Sequence, residues 1–145
     1  MTDQTDPPAR LALASAYQAE CLAMCNRLRR EGPYSPNYAY RALASRIPLE
    51  AVAYIAQTIT KGSEGLRRLA ETNQIGDSFE ASVLHPRWAT LFDEDLRVIA
   101  RNRLREVATA FPAVAPEVAL LLATERIQFD QQLAYELAGM PDFLA

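Results

Sequence analysis

The chain has 145 residues, half of them apolar, with five glycines and a formal net charge of −3. A chain of this length suits one domain with a substantial core, since it withdraws roughly 68–70% of its unfolded surface from water. One histidine and two cysteines fall short of a zinc tetrad or a carboxylate and histidine di-iron centre. Neither a phosphate loop nor a dinucleotide-binding glycine turn is present, so neither cofactor nor metal is expected.

Apolar residues recur every three or four positions, glycine is scarce, and alanine and leucine are abundant. The first ten residues, MTDQTDPPAR, are polar and carry two prolines, so residues 1–8 read as a flexible lead and 9–145 as a single helical domain. A first helix over residues 9–30 aligns Ala14, Tyr17, Cys21, Met24 and Leu28 in one stripe. Gly32 is expected to end it in a left-handed cap, with Pro33 blocking continuation. Ser35 and Pro36 read as N-cap and first residue of a short helix through Ser45. Pro48 opens the next helix, with Leu49, Val52, Ile55, Ala56 and Ile59 inward, and Gly62 closes it.

Ser63 is read as the cap of a helix bearing Leu66, Leu69 and Ala70. Asp77 and Glu80 have the spacing of a capping box, which predicts a short helix up to His85-Pro86. A cap within residues 90–93 starts a long helix with the stripe Leu96, Ala100, Leu104, Val107 and Phe111, which Pro112 stops. Pro116 then begins a last helix to about Ala138, whose many apolar residues, among them Leu121, Leu122, Ile127, Leu133 and Leu137, predict a central position. The fold class expected is therefore all-α: a helical bundle of about five to seven helices, two or three of them long.

No run reaches the roughly 18–20 apolar residues needed to cross a bilayer, and the N-terminus lacks the order of a signal peptide, so a cytoplasmic protein without membrane contact is expected. Cys21 and Cys25 read as core thiols, with a redox pair as the alternative. His85, before Pro86, reads as a helix cap. Arg97, Arg101 and Arg105 form one row that Asp93 and Glu94 can neutralise at one end. Glu125 is an anomaly: Leu121, Leu122 and Phe129 share its side of the helix, so its carboxylate needs a partner or a function.

Charge is uneven. Residues 27–68 carry eight basic and three acidic side chains, a local charge of +5, in an otherwise acidic chain. Tyr34, Tyr38, Tyr40 and Tyr54 are interleaved there with Arg41 and Arg46 around RALASRIPLEAVAYI, a helix-corner-helix pattern loosely like a helix-turn-helix. As a reading head its second helix is poor, for its outward candidates Glu50, Ala51, Tyr54, Gln57 and Thr58 include no cation. The leading expectation is a non-enzymatic interaction protein, a regulator, adaptor or assembly factor that acts through a helix face and is able to homodimerise. Arg41, Arg46, Arg67 and Arg68, with Tyr38 and Tyr54, would meet a protein partner with an acidic surface. The alternatives are a nucleic-acid-binding regulator using residues 35–61, and an enzyme or ligand-binding bundle centred on Glu125 with Tyr135 or the cysteines.

Overall fold

The structure, a computed structural model, describes residues 6–62 and 64–139. Among them the chain forms seven α-helices and no strand: α1 (Pro7–Glu31), α2 (Asn37–Ala44), α3 (Pro48–Lys61), α4 (Glu64–Glu71), α5 (Phe79–Val83), α6 (Glu94–Ala110) and α7 (Ala115–Ala138). Single 3-10 turns lie at Ile75–Asp77, Pro86–Trp88 and Pro112–Val114. The fold is all-α, and every helix contributes to one buried core. None of the described helices is long and apolar enough to cross a membrane.

Local chemistry explains most helix ends. Asp6 caps α1, its carboxylate accepting from Ala9 N–H at 2.8 Å. Pro7 and Pro8, read from sequence as part of a flexible lead, instead form the first turn, where a missing N–H costs nothing. Gly32 ends α1 in an extended conformation (φ −60°, ψ 158°) and not in the expected left-handed one. It must still be glycine, because a Cβ there would lie 2.3 Å from the Leu28 carbonyl oxygen and 2.4 Å from that of Tyr34. Gly62 does take positive φ, at 77°. In α2 the proline falls at the cap and no side chain caps the helix, so Ser35 does not act as expected. The expected Ser63 cap lies outside the described residues. Asp93 caps α6 through Leu96 N–H at 2.8 Å.

The core centres on α1, α3 and α6. Tyr17 is fully buried, with Trp88 and Phe92 set edgewise to its ring at centroid distances of 5.2 and 5.0 Å. Its hydroxyl shares a 2.7 Å hydrogen bond with Ser82 Oγ, so a large aromatic is buried without orphaning its polar end. α3 buries Ala51, Val52, Ile55 and Ile59. Two assignments on α3 are thereby corrected: Ala51, read as outward, is buried, and Leu49, read as core, is 42% exposed. The inner face follows the row 51, 55 and 59, and Leu49 stands beyond its edge in the first turn.

The expected central position of the last helix is also overturned. Of the described residues of α7, only Val118 and Glu125 are buried. Its apolar residues are distributed around the helix and not gathered on one stripe, so one side suffices to complete the core and the rest faces water.

Candidate functional site

The corner between α2 and α3 is held from behind. Gln18 of α1 donates through Nε2 to the carbonyls of Leu43 (2.8 Å) and Arg46 (2.7 Å), so a half-buried side chain ties the end of α2 and the corner to α1. Of the outward candidates on α3, only Glu50 and Gln57 are exposed; Tyr54 and Thr58 are half-buried. The Arg46 guanidinium lies 4.6 Å from the Tyr54 ring centre and donates to the Ala42 carbonyl at 2.7 Å.

The structure gathers part of the basic, tyrosine-bearing segment around one cavity. Tyr38 and Tyr54, with Tyr34, line a cavity of about 350 Å³ enclosed by α1 to α5. Arg46 covers Tyr54, and the positive charge of Arg68 acts on Tyr34. Arg41 is exposed on α2 and makes no ion pair among the described residues. Arg67 is turned elsewhere, pairing with Glu71 at 3.3 Å and lying 5.7 Å over the Phe111 ring. Burial raises the Tyr34 and Tyr54 phenols above their ordinary value of 10.0, so both stay neutral at physiological pH.

Glu80 in the wall of this cavity escaped the sequence reading, which gave it to a capping box. Ser78, not Asp77, caps α5, its hydroxyl accepting from Ala81 N–H at 3.0 Å, while Asp77 pairs with Arg27 at 3.1 Å. A one-residue shift of the cap frees Glu80 from that task and turns it inward. It is 3% exposed, and its Oε2 has no hydrogen-bond partner among the described residues. Burial raises its carboxyl above the usual 4.5, opposed by its own backbone N–H and by Arg103. A sequence signal existed: Val83 and Leu84, three and four residues on, share its helix face.

Glu125 is 6% exposed and accepts from Arg101 Nε at 2.8 Å and Nη2 at 3.2 Å, a bidentate pair across α6 and α7. Arg101 also donates to Glu94 at 2.8 Å, and Arg97 pairs with Glu94 at 2.6 Å while lying 4.9 Å over Phe129. These contacts keep Glu94 below the usual carboxylate range and hold Arg101 charged. Of the arginine row, Arg101 thus joins the two helices and Arg97 lies over Phe129 of α7, whereas Arg105 turns to Asn102 of its own helix at 3.3 Å. Tyr135 is 79% exposed farther along α7 and the cysteines are buried in α1, so the suggested grouping of Glu125 with them is not formed. Burial pushes Cys21 up to about 12 and Cys25 to about 11, which leaves both as neutral thiols. His85 accepts from Arg87 N–H through Nδ1 at 3.1 Å and caps the turn at Pro86–Trp88.

The outer side of α7 is the other distinctive surface. Leu120, Ala123, Ile127, Asp130, Ala134 and Leu137 follow a 3-4-3-4-3 spacing, and all six are exposed. Leu120, Ile127 and Leu137 are 66%, 55% and 57% exposed, and Leu133 beside the stripe is 54% exposed. From Asp130 to Gly139 every residue is exposed, with the turn at Pro86–Trp88 bordering an open groove along one side of the segment. Two positions in every seven on one helix face, apolar here except for Asp130, have the spacing of a seam for a second helix.

Among the described residues no group of three or more His, Cys, Asp or Glu is placed to hold a metal ion. No protein-family model matches the chain, and no curated protein or solved structure matches it either.

Proposed function

We propose that the protein is a helical interaction protein that works through the outer face of α7, and that the occupant of this face is a second copy of the chain. The observation that carries this reading is the exposed heptad stripe, which runs from Leu120 to Leu137, roughly 26 Å at 1.5 Å per residue. Antiparallel pairing of two such stripes sets Leu120 opposite Leu137 and Ala123 opposite Ala134. The alanines let the backbones approach closely. The same register brings Ile127 against Asp130 and puts Arg126 of one copy within reach of Asp130 of the other. Charge complementarity of that kind fixes register and orientation in helix pairs. The last nine residues of α7 are all exposed, and an isolated helical segment of that length is marginal in water.

Sedimentation over a range of concentrations tests the reading. The mass should rise from 16.1 kDa towards twice that value, and Ile127→Asp should hold the chain at monomer mass without altering its helical content. A monomer at every concentration, or a dimer indifferent to Ile127→Asp, refutes it.

A second reading, favoured by the lack of any ion pair at Arg41 and Arg68 among the described residues, gives the mouth of the tyrosine cavity an acidic protein partner. Binding of a polyglutamate peptide should fall on Arg41→Glu with Arg68→Glu. Duplex DNA bound more tightly than the peptide, with a steep loss on adding salt, would favour the nucleic-acid alternative.

A further inference from the structure

We propose that the cavity enclosed by α1 to α5 binds a small organic cation, an amine with an apolar body, whose ammonium group pairs with Glu80 between aromatic side chains. No residue of α7 lines this cavity, so the proposal stands apart from the dimer reading.

Three observations support it. First, Glu80 is a carboxylate almost wholly withdrawn from water, and its Oε2 meets no donor among the described residues. Burying such an atom unsatisfied costs free energy, and a native structure retains it where something fills the gap. Arg103 is the basic residue whose field reaches Glu80 and borders a second pocket with it; its Nη2 donates to the Thr60 carbonyl at 3.0 Å and its Nη1 lies 3.7 Å from Glu106, while its buried Nε has no hydrogen-bond partner among the described residues. Second, the lining itself carries two carboxylates, Asp77 and Glu80, and no arginine or lysine; Arg46, over the Tyr54 ring, and Arg68, whose charge acts on Tyr34, are not part of the lining. Asp77 is already neutralised by Arg27 at 3.1 Å, which leaves Glu80 as the anchor. Third, Tyr34, Tyr38, Tyr54 and Phe79 line the cavity, and aromatic rings, whose negative faces attract an ammonium, are the walls of cages for amines. Met24 and Leu66 complete an apolar wall, and the volume of about 350 Å³ is that of a site for a small molecule.

Calorimetric titration with three probes of similar shape tests the assignment: 2-phenylethylamine, 2-phenylethanol and 3-phenylpropanoate. The amine should bind saturably, the alcohol about tenfold more weakly or worse, and the carboxylate not measurably. Glu80→Gln should weaken the amine about tenfold or more while leaving the alcohol unchanged. Tyr38 is 76% exposed at the mouth, so Tyr38→Ala leaves the core intact and should cost the amine about two- to fivefold. This second variant keeps the test valid should Glu80→Gln fail to fold. An amine bound no better than the alcohol, or undiminished by both substitutions, overturns the proposal. Loss of the α7 dimer without loss of amine binding would leave it standing.

Discussion

Arg101 joins α6 to α7, and its removal tests whether the arginine row is structural. Two of its nitrogens reach the oxygens of Glu125 at 2.8 and 3.2 Å and a third reaches Glu94 at 2.8 Å, while the Glu125 side chain is only 7% exposed. Arg101→Met keeps much of the side chain's length and removes its charge, so Glu125 must ionise alone in a buried place or take up a proton. Removing one member of a buried pair costs about 3–5 kcal/mol. Because Arg101 itself is 21% exposed and partly hydrated, the lower end applies, about 3 kcal/mol. For a chain of this size that corresponds to a fall of roughly 10 °C in melting temperature. Urea titration followed by far-ultraviolet circular dichroism measures the loss directly. Adding Glu125→Leu to Arg101→Met should recover most of it, since replacing both partners by apolar groups is often close to neutral. A single variant within about 1 kcal/mol of the parent, the scale of an exposed pair, would refute the reasoning, as would a double variant no more stable than the single one.

Glu80 makes stability depend on pH in a definite sense. Its folded-state value is raised above 4.5, so the cost of ionising it is absent below that pH and fully present above the folded value. Glu80→Gln should therefore raise the melting temperature at neutral pH, with the gain vanishing as the pH falls through 4.5; an equal gain at every pH would contradict the assignment. Cys21 and Cys25 should resist a thiol reagent in the folded protein at pH 8 and react only at the rate of unfolding, because burial pushes them to about 12 and 11. A fast phase from either sulfur would show that the core around α1 is open.

How far the sequence reaches can be judged helix by helix. The stripe of α1, from Ala14 through Tyr17, Cys21 and Met24 to Leu28, is buried as its spacing predicts, and so is that of α6 from Leu96 to Val107. Both helices have one clearly apolar side, so position along the chain is enough to say which side faces in. α7 has apolar residues on several sides, and its sequence alone does not choose among them. The helices already packed in the core left room for one side, and Leu120, Ile127 and Leu137 remained outside.

Charged groups show the same division. The anomaly of Glu125 is visible in its apolar neighbours three and four residues away, but its partner Arg101 is 24 positions earlier and is chosen by the packing of two helices. Glu80 was assigned to a cap because a box of that spacing reads well locally. The choice of Ser78 over Asp77 depended on Arg27 drawing Asp77 away, a contact across 50 residues.

The sequence by itself determined what is local: an all-α chain, helix boundaries marked by proline, glycine and capping side chains, and one inward side on each strongly amphipathic helix. These follow from hydrogen bonds and periodicities spanning a few residues. Only the tertiary structure decided which helix is central, which acid meets which arginine, and that three tyrosines from separate elements share a cavity with a buried carboxylate. Each of those outcomes depends on groups far apart in the chain competing for the same buried volume, and periodicity along one helix carries no information about that competition.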